Sequence, residues 1–178
     1  VGGMGALSSA AIISKAALEM GMYMKQAETH GMSQRGGDVQ SHLRLSDQPI
    51  ASDLIPEGEC DIILSVEPME ALRYLPFLNR EIGWVITNQN PFVNIPNYPD
   101  QEAVLAEVRK IKNHILFDAD KIAKEINNPK GTNMVVLGAA SKYLGIDIEK
   151  LEAAVRSNFA RKGDAIIDAS IAALRAGR

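Results

Sequence analysis

Two glycine-rich segments contain the residues whose types and spacing could bind a ligand. The first is the VGGMG run at residues 1–5, which leads directly into a predicted helix. Glycine N–H groups at the start of a helix can hold a phosphate, because the helix dipole is positive there. The second, at residues 30–37, is polar and contains Arg35 next to two glycines. A guanidinium fork and exposed backbone amides can converge on one phosphate or carboxylate.

Each segment also has a plainer interpretation. The run at 1–5 holds only part of the G-x-G-x-x-G dinucleotide motif, and Glu28 is the nearest candidate for its acidic partner. We therefore favour a structural turn, or contact with a ligand shared with a partner, over an NAD or FAD site. The segment at 30–37 could equally be a solvated surface loop, and the residues alone do not decide between the two.

Other reactive side chains favour structural roles. His30 and His42 have no carboxylate or thiol at ligand spacing, so hydrogen-bonded structural roles are expected for both. Glu67 and Glu70 open a predicted helix, where they complement its dipole. Cys60 is the only cysteine, and one thiol can neither form an internal disulfide nor hold an iron–sulfur cluster. The residue pattern therefore assigns no catalytic residue and no metal ligand.

The elements that must position these segments follow from hydrophobic periodicity. Val39, Leu43 and Leu45 alternate with a polar face that points to solvent, a ligand or a partner. Gly138 lies in an almost wholly apolar helix, which should be buried and should admit a close neighbour. Strands are predicted over 22–28, 38–45, 61–66 (covered on both faces), 83–88 and 115–117, and helices over 6–20, 67–75, 101–112, 120–126, 132–144, 147–159 and 163–176.

This order of elements predicts an α/β fold with a mostly parallel sheet and a helical C-terminal part. One domain over 1–178 is expected, mainly helical over 118–178, with a strand missing before Val1. A net charge of -3 argues against a general nucleic-acid binder. There is no signal peptide and no apolar run near a membrane span, so no membrane partner is expected and the cytoplasm is the default compartment.

The segment at 28–44 resembles the signature of the gamma domain of 2-oxoacid:ferredoxin oxidoreductases. Within that family, the chain is most similar to the beta subunit of indolepyruvate ferredoxin oxidoreductase. Met4 departs from the family pattern, in which glutamine is usual at that position. The residues that carry the resemblance are ETHGMSQRGGDVQSHLR at 28–44, LIPEGECD at 54–61 and EPMEALRYLP at 67–76.

The resemblance implies a three-layer α/β/α domain with a mixed sheet. It implies an accessory subunit, inactive alone, of an enzyme that converts a 2-oxoacid and coenzyme A to acyl-CoA and CO₂ and reduces ferredoxin. Thiamine diphosphate, Mg²⁺ and iron–sulfur clusters would belong to a larger catalytic subunit, and ferredoxin would be an indirect partner. The residues that would face the ligand or active site are Gly2, Gly3, Gly5, His30, Gly31, Met32, Ser33, Gln34, Arg35, Gly36 and Gly37.

Two other functions are compatible with the same residues. The chain could be a free-standing regulatory module that binds a nucleotide or coenzyme A, or a structural interaction protein. An intact glycine motif and nucleotide binding by the isolated chain would favour the module. Tight association with a large iron–sulfur protein would favour the accessory subunit, which in isolation could form a homodimer. The sequence does not select the 2-oxoacid.

Overall fold

The computed structural model describes residues 1–30 and 36–178, and of His30 only the backbone. The predicted elements are present there with small shifts at their ends. The helices are α1 (Ala6–Glu19), α2 (Pro68–Arg73), α3 (Gln101–Arg109), α4 (Ala119–Glu125), α5 (Thr132–Ala140), α6 (Ile148–Asn158) and α7 (Asp164–Gly177). The strands are β1 (Tyr23–His30), β2 (Val39–Ser46), β3 (Ile62–Ser65), β4 (Trp84–Asn88) and β5 (His114–Phe117).

The strands of the described residues form two sheets. β3, β4 and β5 are parallel, in that order, whereas β1 and β2 form an antiparallel hairpin from Tyr23 opposite Ser46 to His30 opposite Val39. Parallel and antiparallel pairs are thus both present, as expected for a mixed α/β fold. Coverage of both faces suits β4 better than β3, because β3 ends the parallel order and its Ile62 and Leu64 are only half-buried.

Helices cover both faces of the parallel sheet. Ile86 of β4 packs into a large core with α1 and α5–α7, whereas its neighbour Val85 packs into a smaller core with Ala71 of α2. Successive strand residues point to opposite faces, so this alternation produces three layers, helix–sheet–helix. The structure confirms the predicted α/β/α class. Each fully buried large apolar side chain contributes about 1.5–3 kcal/mol relative to exposure.

The apolar helix α5 lies in the larger core, as its sequence predicts. Seven of its nine residues are buried. A Cβ on Gly138 would overlap the carbonyl oxygen of Leu174, so the absence of a side chain is what lets α7 approach this closely. The helix is shorter than predicted, because residues 141–143 form a 3₁₀ turn in which the Ser141 hydroxyl donates to the Gly138 carbonyl at 2.7 Å.

The polar face of β2 is covered by the chain's own residues 51–55. The Arg44 guanidinium donates to the carbonyl of Ser52 at 3.1 Å and to that of Leu54 at 3.2 Å. The Ile55 amide donates to His42 Nδ1 at 3.0 Å, and the His42 ring meets Phe77 edge-on. The hydrogen-bonded structural role expected for His42 is confirmed. Gln40 lies on the same face of β2, and its buried Oε1 has no hydrogen-bond partner among the described residues.

Candidate functional site

The glycine run at 1–5 forms a tight turn that starts α1. The Met4 amide donates to the Val1 carbonyl at 3.2 Å, and both Gly3 (φ 89°) and Gly5 (φ 83°) are in the left-handed region. Gly5 is the N-cap of α1, and among the described residues no side chain caps the helix there. The first-turn amides of a helix have no partner within it, so those of α1 remain available to a ligand.

The structure brings this turn into contact with the end of the second glycine-rich segment. The Gly2 amide donates to the Gly37 carbonyl at 2.8 Å, and the Gly36 amide donates to the Gly2 carbonyl at 3.1 Å. Two residues thus oppose one, with Gly36 at φ 78°, which is the geometry of a bulge whose first residue is a left-handed glycine. Residues 31–35 and the side chain of His30 lie outside the described residues, so these contacts concern only Gly36 and Gly37.

A cavity of about 420 Å³ opens beside this contact. None of the residues that line it has a titratable side chain, so the described wall can bind a ligand through backbone amides but cannot transfer a proton. A helix N-terminus with flanking glycines favours a phosphate or a carboxylate. The lining residues are Val1, Gly2, Gly3, Gly5, Ala6, Leu7, Ser8 and Val39.

Asn133, at the start of α5, packs against the glycine turn and hydrogen-bonds to it. Its side-chain amide donates to the Gly5 carbonyl at 3.2 Å, and a Cβ on Gly5 would lie 2.8 Å from the Asn133 Cγ atom. Sequence reasoning did not select this residue, since a single asparagine in a helical pattern carries no sign of such a contact.

We expect Gly5→Ala to lower the free energy of unfolding by about 2–3 kcal/mol. The left-handed backbone costs an alanine about 1–2 kcal/mol, and the displaced Asn133 hydrogen bond adds about 1 kcal/mol. Gly58→Ala is the matched control, because Gly58 has φ 78° with nothing near its Cβ position, and it should show the backbone cost alone. Urea unfolding measures both, and equal losses would contradict the role of Asn133.

Two tyrosine–carboxylate pairs lie outside the residues that line the cavity. The Tyr74 hydroxyl donates to Asp38 Oδ1 at 2.5 Å, and burial together with this hydrogen bond raises the pKa of Tyr74. The Tyr98 hydroxyl donates to Glu67 Oε1, and burial and this bond likewise raise the pKa of Tyr98. Both phenols therefore stay protonated at neutral pH and act as hydrogen-bond donors rather than as bases.

Glu67 is a structural carboxylate. Its side chain is 1% exposed and accepts from the Glu70 amide at 2.7 Å, which makes it the N-cap of α2. Glu70 in turn pairs with Arg73 at 3.1 Å. The helix-start role expected for these two glutamates is confirmed, because Glu67 caps α2 and Glu70 lies in its first turn.

A polar network centred on the buried Asn88 joins the carboxyl ends of the parallel strands. Asn88 donates through Nδ2 to Asp120 Oδ2 at 3.2 Å and accepts through Oδ1 from the Ala119 amide at 3.0 Å. Thr132 donates to the other oxygen of Asp120 at 2.6 Å. Sequence reasoning missed this network, although polar residues directly after two buried strands could have indicated it. Since its members satisfy one another, it fixes the elements around the site.

Over residues 1–30 and 36–178, no three His, Cys, Asp or Glu side chains gather as a metal ion would require. In the same part of the chain, no helix combines the length and apolarity needed to cross a bilayer.

The full chain, residues 1–178, matches the family described as pyruvate ferredoxin/flavodoxin oxidoreductase. Indolepyruvate oxidoreductase subunit IorB of Archaeoglobus fulgidus is 37% identical, over 99% of this chain and 90% of that one. The pyruvate/ketoisovalerate oxidoreductases common subunit gamma of Pyrococcus abyssi is 32% identical, over 89% of this chain and 82% of the relative.

A solved structure has the same fold. It is 2-oxoglutarate:ferredoxin oxidoreductase from Magnetococcus marinus with 2-oxoglutarate, coenzyme A and succinyl-CoA bound. The TM-score is 0.75 at 20% identity, and the match covers 99% of this chain but 28% of the longer one. The resemblance identified at residues 28–44 is confirmed by the family match and by the curated relatives, and the family match extends it over residues 1–178. The chain belongs to the pyruvate ferredoxin/flavodoxin oxidoreductase family, and its relatives are the IorB and gamma subunits of 2-oxoacid:ferredoxin oxidoreductases.

Proposed function

We propose that this chain is the gamma-type accessory subunit of a 2-oxoacid:ferredoxin oxidoreductase and acts when docked on a larger catalytic subunit. The complex would oxidatively decarboxylate a 2-oxoacid with coenzyme A, giving acyl-CoA and CO₂ and transferring the electrons to ferredoxin. Full-length similarity to IorB and gamma subunits carries this proposal. The names of these relatives do not favour the free-standing regulatory module.

The redox groups of such an enzyme do not fit the residues of this chain. An iron–sulfur cluster takes several cysteine thiolates, whereas Cys60 is the only cysteine. Cys60 is also buried, and burial raises the pKa of its thiol, which opposes the thiolate that a cluster ligand must be. We therefore assign the clusters to the catalytic subunit, and with them thiamine diphosphate and Mg²⁺, as the family resemblance implies. No step of the reaction is assigned to a group held by this chain.

The part we assign to this chain is the binding of an anionic group beside the partner's active site. The contact of Gly2 with Gly36 and Gly37, next to a cavity with open helix amides, supports this role. Phosphates of coenzyme A or the carboxylate of the 2-oxoacid have the required charge. The proposed ligand-facing set adds the neighbouring residues of the signature to the described glycines: His30, Gly31, Met32, Ser33, Gln34 and Arg35.

Purification through a tag on this chain tests the proposal. We expect a larger iron–sulfur protein to co-purify, and the complex to reduce a low-potential acceptor only when both a 2-oxoacid and coenzyme A are supplied. Aryl and aliphatic 2-oxoacids should be compared, since indolepyruvate is the substrate class named in one group of relatives. The isolated chain should be colourless and inactive. Stoichiometric iron in the pure chain, or nucleotide binding by a tagged chain with which no larger subunit co-purifies, would overturn the accessory-subunit function.

A further inference from the structure

The segment at 90–99, called here the proline loop, exposes three large apolar side chains to solvent. It follows β4 and contains Pro91, Pro96 and Pro99 but no charged residue. Its large apolar side chains are exposed by 40% (Phe92), 67% (Val93) and 39% (Ile95). An uncharged loop that displays aromatic and aliphatic side chains has the composition of an interface core rather than of ordinary surface.

Hydrogen bonds fix this loop along its length. Asn90 Nδ2 donates to Asp118 Oδ1 at 2.6 Å near the first end. Asn94 Nδ2 donates to the Gly36 carbonyl in the middle, and the Tyr98 hydroxyl donates to the buried Glu67 near the other end. Together with three prolines, these contacts hold the apolar side chains out before any partner arrives. Binding then costs little further conformational entropy.

The proline loop is continuous with the candidate site. The Phe92 ring lies 3.6 Å from the position a Cβ on Gly36 would occupy, and Gly36 also bonds to Gly2 of the glycine turn. A ligand in the adjacent cavity and a protein that covers the loop would therefore be neighbours. In the Magnetococcus marinus enzyme this fold is a 28% portion of one longer chain, so it is there joined covalently to other parts of the enzyme.

We propose that the proline loop is the docking surface for the larger catalytic subunit, with Val93 as its central anchor. This inference rests on the proposed function, because that function supplies the partner and the orientation of the site towards it. The complementary surface would be an uncharged apolar depression rimmed by hydrogen-bonding groups. Val93 is the most exposed of the three apolar side chains, so a partner that covers the loop would remove the largest fraction of its surface from water.

Val93→Asp tests the proposal, since it would place a charge in the centre of a desolvated contact. We expect it to weaken binding of the purified catalytic subunit, measured by biolayer interferometry, by about thirtyfold or more. Ile82→Asp is the matched control, because Ile82 is 63% exposed but precedes β4, at the end of the strand opposite the loop. It should change the dissociation constant by less than about threefold.

The urea midpoints of both variants should equal that of the native chain, because both positions are exposed. The docking inference alone would be overturned if Val93→Asp bound the catalytic subunit as tightly as the native chain does. It would also be overturned if Val93→Asp and Ile82→Asp weakened binding equally. Loss of self-association without any effect on the catalytic subunit would also overturn it and would make the loop a contact between copies. If the native chain itself does not bind the catalytic subunit, the proposed function is wrong and this inference with it.

Discussion

Arg35→Ala and Arg35→Lys should both assemble with the catalytic subunit and yet lose about tenfold to a hundredfold in kcat/KM. Arg35 adjoins Gly36, whose amide bonds to the glycine turn beside the cavity. A guanidinium there would hold a phosphate or a carboxylate through paired charge-assisted hydrogen bonds. The loss of such a contact costs about 1.5–3 kcal/mol, and an ammonium cannot replace it because it lacks the fork. Steady-state kinetics with coenzyme A and the 2-oxoacid varied in turn would show which of them Arg35 holds.

Arg161→Ala is the control for the change in net charge. Arg161 is exposed on the 3₁₀ turn after α6, in the helical half of the chain, and its removal should leave both kinetic constants unchanged. Native kinetics in both Arg35 variants would make Arg35 a solvated loop charge. Failure of the variants to assemble would instead make it an interface residue, and the anion-binding role would lose its main support.

Local patterns were sufficient to predict the elements that carry the site. The alternation over 38–45 predicts that Val39, Leu43 and Leu45 face the core; Leu43 and Leu45 pack there, whereas Val39 lines the cavity beside the glycine turn. The apolar helix around Gly138 was expected to be buried and closely approached, and it is. These features depend on residues a few positions apart, so periodicity and residue size determine them. The predicted ends were less accurate where tight turns compete with the helix, as at Ser141.

Contacts between distant segments could not be predicted in the same way. The residues of the two glycine-rich segments do not predict that Gly2 pairs with Gly36 and Gly37, because any residue type can form backbone hydrogen bonds. For the same reason the sequence did not predict what covers His42 and Arg44. The structure shows that the chain's own residues 51–55 cover them. In the sequence, three prolines mark the proline loop as a connection between β4 and α3, and no residue pattern indicates how it is anchored. Its anchors, such as Tyr98 on the buried Glu67, become visible only when the elements are assembled.

Asn88→Ala should lower the free energy of unfolding by about 2–4 kcal/mol, the largest stability loss expected here. Asn88 is fully buried at the carboxyl end of β4. Removing its side chain takes one hydrogen-bond partner from the Ala119 amide and one from Asp120 Oδ2. An unsatisfied buried polar group costs about 1–3 kcal/mol. Asn158→Ala, on an exposed position at the end of α6, should change stability by less than about 0.5 kcal/mol. Urea unfolding of both variants measures the difference. Equal urea midpoints for the two variants would mean that the network contributes nothing to stability. Apolar packing alone would then hold the start of α4 against the end of β4.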